Sequence, residues 1–410
     1  MYVPNRATMP GVYQAPAYYQ SLEQQSTSRP AHPPKPPGAD LKRVLQYNAD
    51  YSGCGYWRML WPDYLLNAYQ KVIVTSSTQM IKDKSYYEPL CAVRLQRQAH
   101  PGQLQFFESL KKLSQELNFK IIYEIDDIIL REDIPDYNKF KFAFTDDAIR
   151  SSVDKMMNMA DEITVTCDYM KQYYTDKIGN KNISVIPNYP PRLWLDNFYN
   201  EDVLSRNYDK NKKKRKRPRI LYAGSGAHFD VDNKTNQLDD FTHVRDVIRK
   251  TSKKFQWVFM GAVPPPLIDL AREGVIEFHQ WRNILELPRF VRDLKVNCMV
   301  APLLDNTFNR CKSDVKFIES CAHGLPVVCQ DMITYDRAIH KFKTGDEMID
   351  QLDDVLKDKQ TYMKSCRKHY SMTNNMWLDN QDHIQAYQEL FTTAHASVDR
   401  PTINKLNGIK

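Results

Sequence analysis

The sequence predicts an α/β protein made of two similar units, each a parallel sheet flanked by helices. Three observations predict it. Short β-rich runs alternate with helix-length amphipathic stretches along most of the chain. The alternation halts at an almost wholly basic run, KNKKKRKRPR (210–219), and then restarts. Glycines and polar residues gather just after the apolar runs, where open α/β sheets hold ligands.

The elements follow in order. Residues 1–40 are rich in Pro, Tyr, Gln and Ser, and too poor in clustered apolar residues to offset the entropy of ordering, so a disordered tail is expected. Strands are predicted at RVLQYN (43–48), KVIVTS (71–76), CAVRLQ (91–96), KIIYEI (120–125), EITVTC (162–167) and ISVIPN (183–188), with helices at 104–118 and 148–160. This first unit spans 41–205, and a solvated basic linker is expected over 206–218. The second unit, 219–345, has strands at RILYAG (219–224), KFQWVFMG (254–261), VIEFHQW (275–281), NCMVAPL (297–303) and LPVVCQ (325–330). Its helices are predicted at 243–252, 287–295 and 313–324. Residues 346–395 read as helices packing on both units, and 396–410 as a loose tail.

A length of 410 residues suits two or three domains. The apolar fraction of 42% is enough for real cores, and the net charge of +7 is mild. No run of 18 apolar residues occurs, and the N-terminus lacks the layout of a secretory signal. The eight cysteines are scattered without a CxxC pair, so neither a metal site nor a disulfide framework is indicated. A cytoplasmic protein without metal or cofactor is expected.

Several residues stand out where ligands would bind. GCG (53–55) and GSG (224–226) sit after the first strand of each unit, where Gly53, Gly55 and Gly224 would let backbone approach a ligand; plain tight turns fit each motif equally. Ser313 reads as a helix N-cap, and the amides of 313–316 with Arg310, Lys312 and Lys316 suit a diphosphate. An ordinary capped surface helix is the alternative. Glu319, two turns on, could accept ribose hydroxyls. Asp126 and Asp127 end the fourth strand on the ligand side and could serve proton transfer or cap the next segment.

LDNTFNRCKSDVKFIESCAHGLPVVCQ (304–330) resembles a variant nucleotide-sugar signature of family 4 glycosyltransferases, FNR-x-KS-x-x-K-x-x-E before a small-residue helix and G-x-PVV. GSGAHFD (224–230), YEIDD (123–127), ISVIPNY (183–189) and SGCGYWR (52–58) resemble that group's other landmarks, in the expected order over roughly 42–345. The resemblance implies the GT-B fold: two Rossmann-like domains facing across a cleft, the nucleotide mainly on the second and the acceptor mainly on the first. It implies a metal-independent and usually retaining transfer from a nucleotide sugar, here expected to be UDP-linked. Carried over, Glu319 would hold the ribose, and Ser313–Lys316 with Lys312 and Arg310 the diphosphate. Gly224, Ser225 and His228 would line the sugar side, with Gly53 and Gly55 opposite. Asp126 and Asp127 would lie by the transferred sugar and the incoming hydroxyl. Arg58 could reach the phosphate or the acceptor, or only pair with a carboxylate. Lys312, His228, Asp126 and Asp127 are the catalytic candidates.

Two departures matter. The commoner signature has a glutamate eight positions before the ribose-binding one, and here that position is Cys311; GSGAH replaces a proline-containing loop and is followed by an insertion, DVDNKTNQLDD (230–240). The acceptor is left open between a glycan and a hydroxylated base in DNA. DNA rests on the basic run and on the aromatic content of the first half, including Tyr47, Tyr51, Tyr56, Trp57 and Trp61; a solvated linker plus core aromatics is the alternative and the slightly preferred one. A non-catalytic nucleotide- or glycan-binding protein, or a nucleic-acid-binding protein using the basic run, are the readings from other classes.

Overall fold

A computed structural model of the protein describes residues 41–393 except 70–71, 145, 180–181, 214–216 and 231–237. The expectations for 1–40, for 396–410, for the centre of the basic run and for most of the 230–240 insertion lie outside the described residues.

Two six-stranded parallel sheets form the frame. The first contains β1 (Arg43–Tyr47), β2 (Ile73–Ser77), β3 (Leu90–Gln96), β4 (Lys120–Glu124), β5 (Glu162–Val165) and β6 (Ile183–Val185), in the order β2-β1-β3-β4-β5-β6. The second contains β7 (Arg219–Gly224), β8 (Gln256–Gly261), β9 (Glu277–His279), β10 (Cys298–Ala301), β11 (Val327–Gln330) and β12 (His340–Phe342), in the order β12-β11-β10-β7-β8-β9. Strand β12 was not anticipated; three residues of mixed polarity carry no β signal. The central strands are buried on both faces, as Ile121, Ile122 and Tyr123 in β4 and Ile220, Leu221 and Tyr222 in β7 show.

Strand order fixes where ligands can go. Chain direction reverses outward between β1 and β3 in one sheet and between β7 and β10 in the other. At such a switch point the connections leave in opposite directions and open a crevice at the carboxyl ends. The segments after these four strands are 48–55, 97–100, 225–230 and 302–316, and they hold most of the polar residues singled out above.

A charged knot lies under the first crevice. Glu124, at the end of β4 and fully buried, takes Arg58 Nε at 2.6 Å, Arg94 and the Thr164 hydroxyl. Arg58 also donates to the Ile186 carbonyl at 2.6 Å and to Asn188 at 3.0 Å. It projects from a π-helical turn, Tyr56–Leu60, between the Gly53–Gly55 turn and the helix Trp61–Ala68. Of the two roles expected for Arg58 the structure favours carboxylate pairing over contact with the phosphate or acceptor: its side chain is 0% exposed and paired with Glu124.

The aromatics expected to stack bases are also core. Trp57, Trp61 and Trp194 pack with centroids 5.1 Å (Trp57–Trp61) and 4.2 Å (Trp61–Trp194) apart, Tyr56 tilts against Trp61, and Tyr47 bonds Tyr87 through their hydroxyls at 2.7 Å. All but the partly buried Tyr51 are buried, so they are the core aromatics of the alternative reading and offer no face for a base to stack on.

The expected basic linker is not an open connection. A helix, Glu201–Lys213, runs into it, with Leu204 and Tyr208 buried. The Tyr208 hydroxyl donates to the Leu356 carbonyl at 2.9 Å and its ring stacks on Tyr362. Apolar residues four apart turned these residues into a helix docked on the second unit. Helices Gly345–Leu356 and Lys359–Ser371 cover that unit, while Gln381–Thr392 returns to the first. There Lys120 Nζ donates to the Leu390 carbonyl at 2.9 Å, and Tyr387 lies against Arg94.

Because Glu124 is dry and shared by two guanidiniums, Arg58→Met strands part of a buried charge. We expect it to destabilise the protein by about 3–5 kcal/mol, read as a lowered urea-unfolding midpoint, with Arg58→Lys intermediate.

Candidate functional site

The second crevice is lined by two pieces of chain. After β7, Ser225 Oγ accepts from Ala227 N at 3.3 Å and starts a tight turn, Gly226–His228. After β10, a short helix, Thr307–Arg310, precedes the helix Val315–Ala322. In the latter, Phe317, Ile318, Cys321 and Ala322 form the buried stripe. Lys316 and Glu319, three residues apart, therefore share the opposite face. The helix stops at Gly324, whose φ of +63° closes a Schellman turn: Gly324 N bonds Cys321 O and Leu325 N bonds Ser320 O.

The cap differs from the sequence reading. Asp314 is the N-cap, without a side-chain capping bond, and its carboxylate pairs with Arg337. Ser313 instead accepts from Asn188 Nδ2 at 2.8 Å, a bond between the two units. The first i→i−4 bond of the helix runs from Ile318 N to Asp314 O, so helix geometry leaves the amides of 315–317 without intrahelical acceptors.

Lys312, Lys316, His228 and Glu319 converge here. Lys316 Nζ lies 3.2 Å from His228 Nε2, and Lys312 Nζ lies over the Phe308 ring at 4.8 Å. His228 Nδ1 sits 2.7 Å from Asp240 Oδ2. Burial, then the charges of Lys316 and Lys312, push the His228 imidazolium down to about 3, against the pull of Asp240. The ring is therefore neutral at pH 7, giving its Nδ1 proton to Asp240 and accepting from Lys316 at Nε2. Both nitrogens are engaged, so its first role is to aim Lys316.

The Lys316 ammonium is itself under pressure. Burial and the neighbouring Lys312 push it down to about 8. Two cations near a helix start, whose dipole is positive, raise one another's energy, and an anion would relieve all three effects. Glu319 is pushed up to about 7 by burial, which Lys316 only partly offsets. It lines a small cavity with Trp194, Ala223, Met260, Met299 and His323.

Opposite stands the end of β4. Asp127 is raised to about 6, first by burial, then by Asp126, against the pull of Lys312 in the other unit. Asp126 Oδ1 pairs with Arg97 Nε at 3.4 Å.

Three donor-side expectations change. Arg310 is half-exposed and forks onto Asp305, with Nε–Oδ1 at 2.6 Å, so its charge is spent locally. Gly55 is bare because a Cβ would overlap the Asp50 carbonyl, and Gly224 because one would overlap the Tyr222 hydroxyl. Gly53 alone faces the second unit, where a Cβ would stand 3.9 Å from Ile284.

Sequence reading missed Asp240, Tyr137 and Asn309. Asp240 Oδ1 accepts from Tyr137 Oη at 3.0 Å, Asn309 Nδ2 at 2.6 Å and Leu304 N at 2.9 Å. Tyr137 comes from the first unit, so this carboxylate ties the units together. A histidine needing an acid was the available signal, but its partner is the last residue of the insertion, twelve positions on. Cys311, where a sugar-binding glutamate was expected, packs into the first unit's apolar cluster with Phe308, and its carbonyl accepts from Cys167 at 3.6 Å. Among the described residues no group of three His, Cys, Asp or Glu could hold a metal ion, and no helix is long and apolar enough to cross a membrane.

No family model and no curated protein sequence matches the chain. Among solved structures it is similar to S. aureus TarM in complex with fondaparinux, alpha-GlcNAc-glycerol and UDP, with TM-score 0.50 and 9% identity over 76% of this chain. It spans 58% of that TarM chain, and 57% in a second TarM structure. It also resembles a UDP-forming trehalose-phosphate synthase from Burkholderia xenovorans, with TM-score 0.49 and 10% identity over 88% of this chain and 100% of that one. These likenesses concern fold: the chain has the GT-B architecture of two Rossmann-like domains.

The crowded cations make a prediction about pH. An arriving pyrophosphate favours the Lys316 ammonium and raises its pKa, so binding takes up a proton near pH 8–9. Affinity should fall by up to about tenfold per pH unit above about 8. Calorimetry with inorganic pyrophosphate in buffers of different ionisation heat reads that uptake, and Lys316→Met should abolish it.

Proposed function

We propose that the protein is a glycosyltransferase that moves a sugar from a nucleotide-sugar donor to an acceptor hydroxyl. The observation that carries this reading is one helix face. Lys316, with Lys312 before it, offers charge to a diphosphate, and Glu319 one turn deeper stands where a ribose would lie, at the switch point of the second sheet. The donor is read as UDP-linked; the TarM neighbour was crystallised with UDP, and the 304–330 motif supports the same reading.

Breaking the sugar–phosphate bond places negative charge on the departing diphosphate. Lys312, Lys316 and the amides of 315–317 stabilise it as it develops. Burial strengthens those interactions, because water no longer screens them. His228, oriented by Asp240, keeps Lys316 pointed at the leaving oxygen. The reaction proceeds with retention and without a metal, the departing phosphate oxygen taking the acceptor proton. Asp127, facing Lys312 across the cleft, orients the acceptor hydroxyl in its carboxylate form; raised to about 6, it is still mostly ionised at neutral pH. The acceptor is read as a glycan hydroxyl held by the first domain.

The test is nucleotide release from a panel of nucleotide sugars, alone and with simple glycans. Release from one donor, rising with acceptor, is expected; binding without release identifies a nucleotide-binding protein instead. Lys312→Ala should cut kcat about 10²–10³-fold with a smaller change in donor affinity by titration. Equal losses in both would mean that Lys312 only binds. Glu319→Ala should chiefly weaken nucleotide affinity, by about tenfold or more.

A further inference from the structure

The first sheet's crevice carries a device that the reading above does not use. Arg97 follows β3 directly, at the switch point between β1 and β3. Its backbone is left-handed, with φ of +45°, although it is not glycine. An arginine is strained there, and such positions persist only where the surroundings hold them. Here the amide of Arg97 donates to the Glu124 carbonyl at 2.9 Å, which directs the side chain over the strand ends.

That side chain grips two carboxylates from two other strand ends. Its Nη2 pairs with Asp50, after β1, and its Nε lies 3.4 Å from Asp126, after β4. Asp50 in turn accepts from Ser52 N at 2.7 Å and Gly55 N at 3.1 Å and so shapes the 50–55 loop. Burial pushes the Asp50 carboxyl up, but Arg97 and these bonds outweigh it, and it sits below the usual range. Arg97 thus joins the glycine loop, the β3 end and the β4 end.

We propose that Arg97 is a positioning residue: through Asp126 it fixes the place of Asp127, so that this carboxylate meets the acceptor hydroxyl across from Lys312. The proposal rests on the glycosyltransferase reading for its chemistry, but not for its geometry. Asp127 is faced by Asp126 and Arg97 from its own domain and by Lys312 from the other, with the Cys311 thiol nearby and the Tyr174 hydroxyl donating to its carbonyl at 3.1 Å. Of these, Arg97 and Lys312 favour the ionised form. Removing Arg97 therefore makes Asp127 hold its proton to higher pH.

The experiment compares Arg97→Gln and Arg97→Lys with the parent protein by two readouts. In protein labelled with carboxyl-¹³C aspartate, the Asp127 titration is identified by its loss in Asp127→Asn. It should move to higher pH in Arg97→Gln and return most of the way in Arg97→Lys. With a working donor, kcat should fall about 10–10²-fold in Arg97→Gln, with nucleotide affinity unchanged and the acid limb of the kcat profile displaced the same way. An unmoved Asp127 titration overturns the proposal, whatever the activity. So does an activity loss matched by an equal loss of nucleotide affinity, which marks general collapse. Failure of the parent protein to bind or turn over any nucleotide sugar would sink the glycosyltransferase reading, while the carboxyl titration still decides the role of Arg97.

Discussion

The organising constraint is a pair of neighbouring cations, neither of which forms an ion pair with a carboxylate among the described residues. Lys312 and Lys316 stand near the positive end of one helix, and Lys316 is buried enough to lose part of its hold on its proton. A fold that gained only stability from this segment would place a carboxylate against each ammonium. Here the nearest acid on the helix, Glu319, is turned toward a small cavity, and Asp240 is shared among His228, Tyr137, Asn309 and a backbone amide. In the proposed function this arrangement keeps the site open to an anion at a local cost in stability, as in preorganised sites.

Asp240 links that electrostatic arrangement to the relation between the domains. The same carboxylate that fixes the tautomer of His228 receives Tyr137 from the first domain. Asn188 to Ser313 and Cys167 to Cys311 add contacts on either side of the cations, and Phe308 with Cys311 enters the first domain's core. The segment 304–313 is thus a seam between the halves and, in the proposed function, also the approach to the diphosphate. Separating the domains would loosen both together.

The first domain solves a different problem. Glu124, Arg58 and Arg94 form a dry charged knot directly beneath the strand ends, and Arg97 forms a second, wetter one above it. The lower knot is committed to holding β4 and the π-helical turn. The upper knot, partly exposed, faces the cleft. Burial separates their roles: arginines of similar sequence setting, Arg58 and Arg97, differ because one is sealed and the other is not.

Sequence by itself determined the strands, the two units and the stretch that matters most. Alternating apolar runs are local signals, and so are the spacing of Lys312, Lys316 and Glu319 and the stop at Gly324; a 3.6-residue period places the last two charges on one face regardless of context. Tertiary structure alone decided which polar groups are spent and which remain. Arg310 and Arg58 read as equals of Lys312 in the chain, yet one folds onto Asp305 and the other into Glu124. Asp240, Tyr137 and Arg97 gave no signal because their partners lie on other strands or across the cleft. Pairing of charges depends on distance in space, and strand order, not sequence proximity, sets that distance.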